Sequence, residues 1–265
     1  MSLRLAAACV LVCGLLSAAD SPTPATSDPL TGAGQAALHK QLDESLVRLT
    51  AQVAADPKDA DLYSRRGDAY FFRGHFKEAV QDYEKMVELQ PDVETSHWRK
   101  GIAYFYAERY KDAAHQFEIY HTFDDVDREN GIWRFFSQAK ATDIETARKG
   151  LLKYKKDDRE PFPDLYRMFA GEMTGDEVLA RIDAARIDKG ERRKRLFYAE
   201  LYIGLDAFIA NKLDAAEQHL REAFANTWAP QAGFGPSYMW HVGRVHYEQL
   251  TQQRLAREKA AKKPE

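Results

Sequence analysis

The chain has 265 residues, 45% of them apolar and 30% charged, and a formal net charge of −3. That length allows one or two domains with a core of their own. The near balance of charge excludes the basic field that a nucleic-acid partner requires. Cys9 and Cys13 are the only cysteines, so nothing after residue 13 offers thiol or disulfide chemistry.

The first 19 residues read as an export signal. Arg4 precedes the short apolar run Leu5–Leu16, and Ser17, Ala18 and Ala19 set small residues before Asp20. The run is shorter than the roughly 20 residues a bilayer span needs. A lipid anchor is the alternative, but Cys13 follows Val10-Leu11-Val12 rather than small residues. The expected location is the periplasm or cell envelope, with a lipid-anchored or secreted form as the alternative. Membrane contact is expected only through an anchored N-terminus. Residues 20–34 are rich in Pro, Ser, Thr and Gly and suit a linker. A domain over 35–259 and a tail over 260–265 follow.

A helix over 36–55 is the expected N-terminal cap. Beyond it, Ala79, Ala113 and Ala147 stand at intervals of 34 residues, the period of the tetratricopeptide helix–turn–helix repeat. The first repeat, 60–93, sets Tyr63, Gly67, Tyr70, Phe76, Ala79, Tyr83 and Pro91 at the signature positions. The second, 94–127, returns Gly101, Tyr104, Tyr110, Ala113 and Phe117. Small residues allow the two helices of a repeat to approach closely, because no large side chain intervenes. Tyr70, Tyr83, Tyr104 and Phe117 are expected to fill the space between successive helix pairs.

A third unit, 128–161, keeps Ala147 but has Phe135 where the glycine belongs, so its helices are expected to splay. A fourth, 162–194, keeps helical periodicity without the signature. The register resumes one residue out of step in a fifth unit, 197–228, with Gly204 and Ala216 twelve apart like Gly67 and Ala79. A helix over 237–259 is the expected C-terminal cap. The fold class is therefore all-α, a right-handed superhelix of antiparallel helix pairs with a concave face.

The first helix of each repeat lines that face. The inward positions include Ser64, Asp68, Phe71, Trp98, Arg99, Ile102, Phe105 and Tyr106. A stripe rich in Trp, Tyr and Arg has the composition of an interface hot spot. The expected partner is a protein or an extended peptide lying across repeats one and two. Ser64 and Asp68 replace the Lys and Asn that would clamp a C-terminal carboxylate, which favours a basic or neutral peptide.

No catalytic, metal or cofactor site is expected, because no nucleophile, zinc or phosphate-loop motif occurs. Asp125–Asn130 faintly resembles a calcium loop, but Asn130 stands at the required glycine and Phe136 at the required Glu. It reads as an exposed connection. Lys155–Glu160, with charges of both signs, reads as a solvated loop. His241 and His246 are five apart on a helix and point in different directions.

Three segments carry a resemblance to a known family. They are HWRKGIAYFYAERYKDAAHQFEIY, the interrupted middle with GIWRFF and GDEVLARI, and FYAELYIGLDAFIANKLDAAEQHLREAFAN. Their order resembles the NlpI-type tetratricopeptide lipoproteins of the Gram-negative periplasm, over about residues 36–250. The resemblance implies a homodimeric, non-catalytic adaptor that brings a tail-specific protease to its substrates and scaffolds peptidoglycan hydrolases. The alternative is a structural subunit of an envelope or secretion assembly, self-associating through its N- and C-terminal helices.

Overall fold

The computed structural model describes residues 32–156 and 158–261, and every regular element among them is helical. The expected export signal, most of the linker and the end of the tail lie outside these residues. Helix α1 (Gly32–Ala55) begins four residues earlier than expected and absorbs the last glycines of the linker. Its Leu38, Leu42, Leu46, Leu49 and Val53 recur every three or four residues and are buried, so one stripe of α1 packs inward.

Two helix pairs follow, α2 (Ala60–Phe72) with α3 (Phe76–Leu89), and α4 (Trp98–Tyr106) with α5 (Tyr110–Phe123). Asp59 starts α2 by accepting hydrogen bonds from the Asp61 and Leu62 amides. Gly74 and Glu108, 34 residues apart, both turn the chain between paired helices with φ of 82° and 61°. Asn211 does the same in the last repeat with φ of 58°. These left-handed positions favour Gly and Asn, whose strain there is small.

A repeated knob and hole sets how each pair closes. A Cβ on Gly67 would lie 2.7 Å from the Tyr83 ring, and one on Gly101 would lie 2.7 Å from the Phe117 ring. In the last repeat a Cβ on Gly204 would lie 2.8 Å from Leu220. In each case the large side chain is sixteen residues after the glycine. Tyr83 and Phe117 therefore fill a hole inside their own helix pair, not the space between pairs. Ala79, Ala113, Ala147 and Ala216 are completely buried beside these contacts. Tyr70 packs toward α1, and Tyr63 donates from its hydroxyl to the Pro57 carbonyl at 3.2 Å. Tyr104 donates to Glu84 at 3.0 Å, under the Arg109 guanidinium.

The third unit departs from the repeat in its second helix. Its first helix α6 (Arg128–Ala141) is full length, but its second, α7 (Ile144–Lys149), is six residues long. Phe135 fills its own glycine position and packs against Phe169 at 5.2 Å between ring centres. The residue sixteen further on, Leu151, has left the helix. A ring cannot occupy the hole and also receive a knob, so the second helix stops short.

Helices α8 (Phe162–Ala170) and α9 (Gly175–Ala184) make the fourth unit, and Thr174 with Glu177 forms a reciprocal cap at the start of α9. The fifth unit pairs α10 (Lys189–Ile209) with α11 (Leu213–Ala225), α10 starting eight residues before the expected boundary. The chain ends in α12 (Phe234–Ala261). Its residues from 251 onward are largely exposed, as a cap requires, but Tyr238–His246 are buried without interruption. A helix buried on every side belongs to the core. The first half of α12 is therefore the centre of the molecule, and one continuous cluster of buried apolar side chains runs from α1 to α12.

Candidate functional site

The concave face of repeats one and two is occupied by α12. Tyr238 stacks on Phe71 at 5.3 Å and meets Trp98 edge-on at 4.9 Å. His241 stacks on Phe72 at 3.9 Å. His246 accepts or donates to the Tyr106 hydroxyl at 3.0 Å. Arg244 is wholly buried and donates to the Phe72 carbonyl, to Glu248 at 2.8 Å and toward His39 at 3.3 Å. The two histidines do diverge, as their spacing predicts, but both are core residues.

Most of the expected groove residues are therefore interior. Phe71, Ile102 and Phe105 are at most 4% exposed, and Ser64 is 3% exposed. Phe105 packs on Trp133 at 5.6 Å. Arg99 grips Asp68 with bonds of 2.6 and 2.7 Å and donates to the Ser64 hydroxyl at 2.9 Å. Tyr83 adds a bond to Asp68 at 2.6 Å and meets the Tyr238 hydroxyl at 3.2 Å. Asp68 is raised above the usual carboxylate range by burial, against the pull of Arg99 and Tyr83. This network satisfies Ser64, Asp68 and Arg99 internally, so none of the three is left to hold a peptide. The groove across repeats one and two is thus corrected to a filled seam. Inward-facing apolar positions stabilise α12 by the same burial that would have held a partner.

The seam ends at Trp98 and Ile102, and there the concave face opens into a cavity of about 400 Å³. Trp98, Ile102, Phe117, Trp133, Tyr198, Trp228 and Met239 make its apolar wall. Asp127, Glu129, Asn130, Arg159 and Lys194 make its polar wall. Pockets of this size with few polar groups on an apolar lining are the usual form of a binding site.

Apart from Lys194 on α10, the polar wall comes from the two segments read as solvated connections. Asp127 starts α6 by accepting from the Glu129 amide at 3.1 Å, which turns Glu129 and Asn130 inward on the first turn. Arg159 arrives from the loop before α8. It donates to Asp127 and Asp158, each at 3.2 Å, and to Glu129. Its guanidinium lies 4.2 Å from the Phe162 ring centre. Tyr202 donates to the other Glu129 oxygen, and Trp133 donates to Tyr202 at 3.2 Å. Burial pushes Glu129 up to about 7, Arg159 lowers it and Asp127 raises it further. Asp127 is also raised, again chiefly by burial. The Asn130 amide nitrogen is buried and has no partner among the described residues.

Both Glu129 oxygens are committed to bonds, one to Arg159 and one to Tyr202. Asp127 and Arg159 are 32 residues apart, close to one period. That spacing was the available signal: corresponding loops of neighbouring repeats lie side by side. Among the described residues no group of His, Cys, Asp and Glu could hold a metal ion, and no helix is long and apolar enough to cross a membrane.

No curated protein matches the chain. Residues 60–93 match the tetratricopeptide repeat family, and such repeats generally mediate contacts between proteins. The match falls on the first helix pair, whose glycine, alanine and tyrosine set the packing that the second and last pairs repeat. The fold is an all-α tetratricopeptide superhelix that has wrapped around its own last helix.

Proposed function

We propose that the protein is a non-catalytic, protein-binding scaffold of the bacterial cell envelope, and that its binding site is the aromatic cavity at the end of the α12 seam. The observation that carries this reading is the cavity wall, where three tryptophans stand beside charged groups on a rigid all-helical frame. Trp, Tyr and Arg are the residues that dominate protein interfaces when they surround a pocket. Exposed rings flank it: Phe234 stands 6.4 Å from Trp98, and Phe123 stands 5.6 Å from Tyr120. A small molecule would have no use for apolar surface outside the pocket, whereas a polypeptide would cover it.

The envelope location rests on the export-type leader, and the partner class rests on the resemblance to the NlpI-type adaptors. The partners this implies are a tail-specific protease or a peptidoglycan hydrolase. Capture from an envelope fraction with the exported protein tests both. Recovery of a protease or wall hydrolase, lost on Trp228→Leu, is the expected result. Recovery of copies of the same chain alone would support a structural subunit instead. Cleavage of peptidoglycan or denatured protein by the pure chain would refute the non-catalytic reading.

A further inference from the structure

The four charged side chains that line the cavity cancel, but its carboxylates are clustered on one of the two cations. Arg159 is shared by Asp127, Glu129 and Asp158. Lys194 is paired with Glu191 at 3.2 Å, and Arg195 with Glu191 and Glu160. Arg128, also close by, sits over the Tyr154 ring at 5.3 Å and reaches Asp158 only through its backbone amide. One guanidinium thus answers three carboxylates, and the Asp127, Glu129 and Asp158 side chains are no more than 24% exposed. Removing charges from water without a partner for each is costly. The upward shift of Glu129 has this origin: burial without enough countercharge favours the neutral acid.

The rest of the cavity fits what the carboxylates lack. The faces of Trp98, Trp133, Tyr198 and Trp228 are electron-rich and attract cations. The protein already uses this wall for a cation, since Arg159 lies 5.5 Å from the Tyr198 ring centre as well as against Phe162. The unpartnered Asn130 amide supplies a donor, which a bare ammonium cannot accept but a peptide carbonyl can. An anion fits worse, because Arg159 and Lys194 are both already held by carboxylates.

We infer that the cavity receives a lysine side chain of an extended polypeptide, with its ammonium beside Asp127 and Glu129, its methylenes against the tryptophans and a neighbouring carbonyl at Asn130. The inference rests on the cavity being the protein-binding site, and it names what is bound there. The flanking apolar residues of that polypeptide meet Phe234 and Phe123 outside the mouth.

The probe is the peptide acetyl-Ala-Leu-Lys-Leu-Ala-amide, titrated into the full protein and followed by tryptophan fluorescence and calorimetry. Two further peptides carry norleucine or glutamate in place of the lysine. Asp127→Asn removes one charge while keeping an oxygen that starts α6. The expected result is binding of the lysine peptide, weakened at least about tenfold by norleucine, by glutamate and by Asp127→Asn. The comparison of peptides on the unaltered protein stands even if the variant unfolds. Equal binding of the lysine and norleucine peptides would overturn the cation and leave the cavity as an apolar protein site. Binding of N-acetyl-lysine methylamide as tight as that of the peptide would overturn the polypeptide. Binding of none of the three peptides would overturn the cavity as a protein site altogether.

Discussion

The two halves of the concave face have the same kind of lining and opposite fates. Across repeats one and two, Phe71, Phe72, Arg99 and Tyr106 meet α12, and every polar group among Ser64, Asp68 and Arg99 has a partner. Beyond the seam, Trp133, Tyr198 and Trp228 line the cavity, Asn130 lacks a partner and burial holds Glu129 toward its neutral form. Both halves keep buried polar atoms without a partner, His246 Nε2 and Glu248 Oε1 at the seam and the Asn130 amide at the cavity. Aromatic composition is also common to both, so what separates core from site is whether a helix covers the rings.

The strongest break of this comparison is at the seam. Arg244→Ala leaves the Phe72 carbonyl without its side-chain donor and Glu248 with His39 alone, and we expect a loss of about 3–5 kcal/mol in urea unfolding. Lys194→Ala on the cavity wall should cost less than about 1 kcal/mol, because that pair is partly solvated. Equal losses would mean that α12 is no more than a peripheral cap.

The second contrast is in pH. Burial lowers His246 from 6.5 to about 3, and His97 and His241 well below their usual value. A histidine lowered in the folded state stabilises it above pH 6.5, and that contribution is lost as pH falls toward 3. Glu129 has the opposite sign. Its folded value is raised from 4.5 to about 7, so its contribution is present below 4.5 and is lost as pH rises to about 7. At full extent the effects are on the order of 5 kcal/mol for His246 and 3 kcal/mol for Glu129. Unfolding measured from pH 4 to 8 should show His246→Gln flattening the acid loss and Glu129→Gln flattening the loss toward neutrality. If neither variant changes the profile, these groups are not buried as described.

The knob-and-hole packing predicts a smaller and graded effect. Gly67→Ala and Gly101→Ala should each cost about 1–3 kcal/mol, since only a ring has to move. Gly204→Ala should lie at the upper end, because the added carbon also meets the Leu220 backbone nitrogen at 3.1 Å. Thermal unfolding of the three variants gives the order.

The smallest expected change in stability is at the site. Trp228→Leu should alter the unfolding free energy by about 1 kcal/mol or less, yet abolish peptide-induced fluorescence change. A large loss of stability with binding retained would make Trp228 a core residue and the cavity a packing defect.

The repeat frame was legible because it is local. Gly67 and Tyr83, like Gly101 and Phe117, are sixteen residues apart, and one period returns the same pair. The occupant of the groove was not, because Phe72 and His241 meet across 169 residues and no spacing relates them. An inward aromatic reads the same whether a partner or the chain's own helix covers it. The missed signal lay in α12 itself, where Tyr238, Met239, Trp240, Val242 and Val245 spread apolar side chains around most of the helix. Charge misled in the other direction. Asp127 and Arg159 belong to charged runs that read as solvated, and they become a site wall only because neighbouring repeats stack. Phe135 marked the third unit as irregular, and the irregularity shows as a short α7.

Native-state amide exchange tests the central claim most directly. If α12 is the core of the concave face, the amides of Tyr238–Leu250 should exchange only with global unfolding, at the same free energy as those of α2 and α4. Peptide binding at the cavity should leave them unchanged. Exchange of these α12 amides through a smaller opening, while α2 and α4 stay protected, would contradict it: the helix would then be a removable occupant, and the groove of the first two repeats would be a site after all.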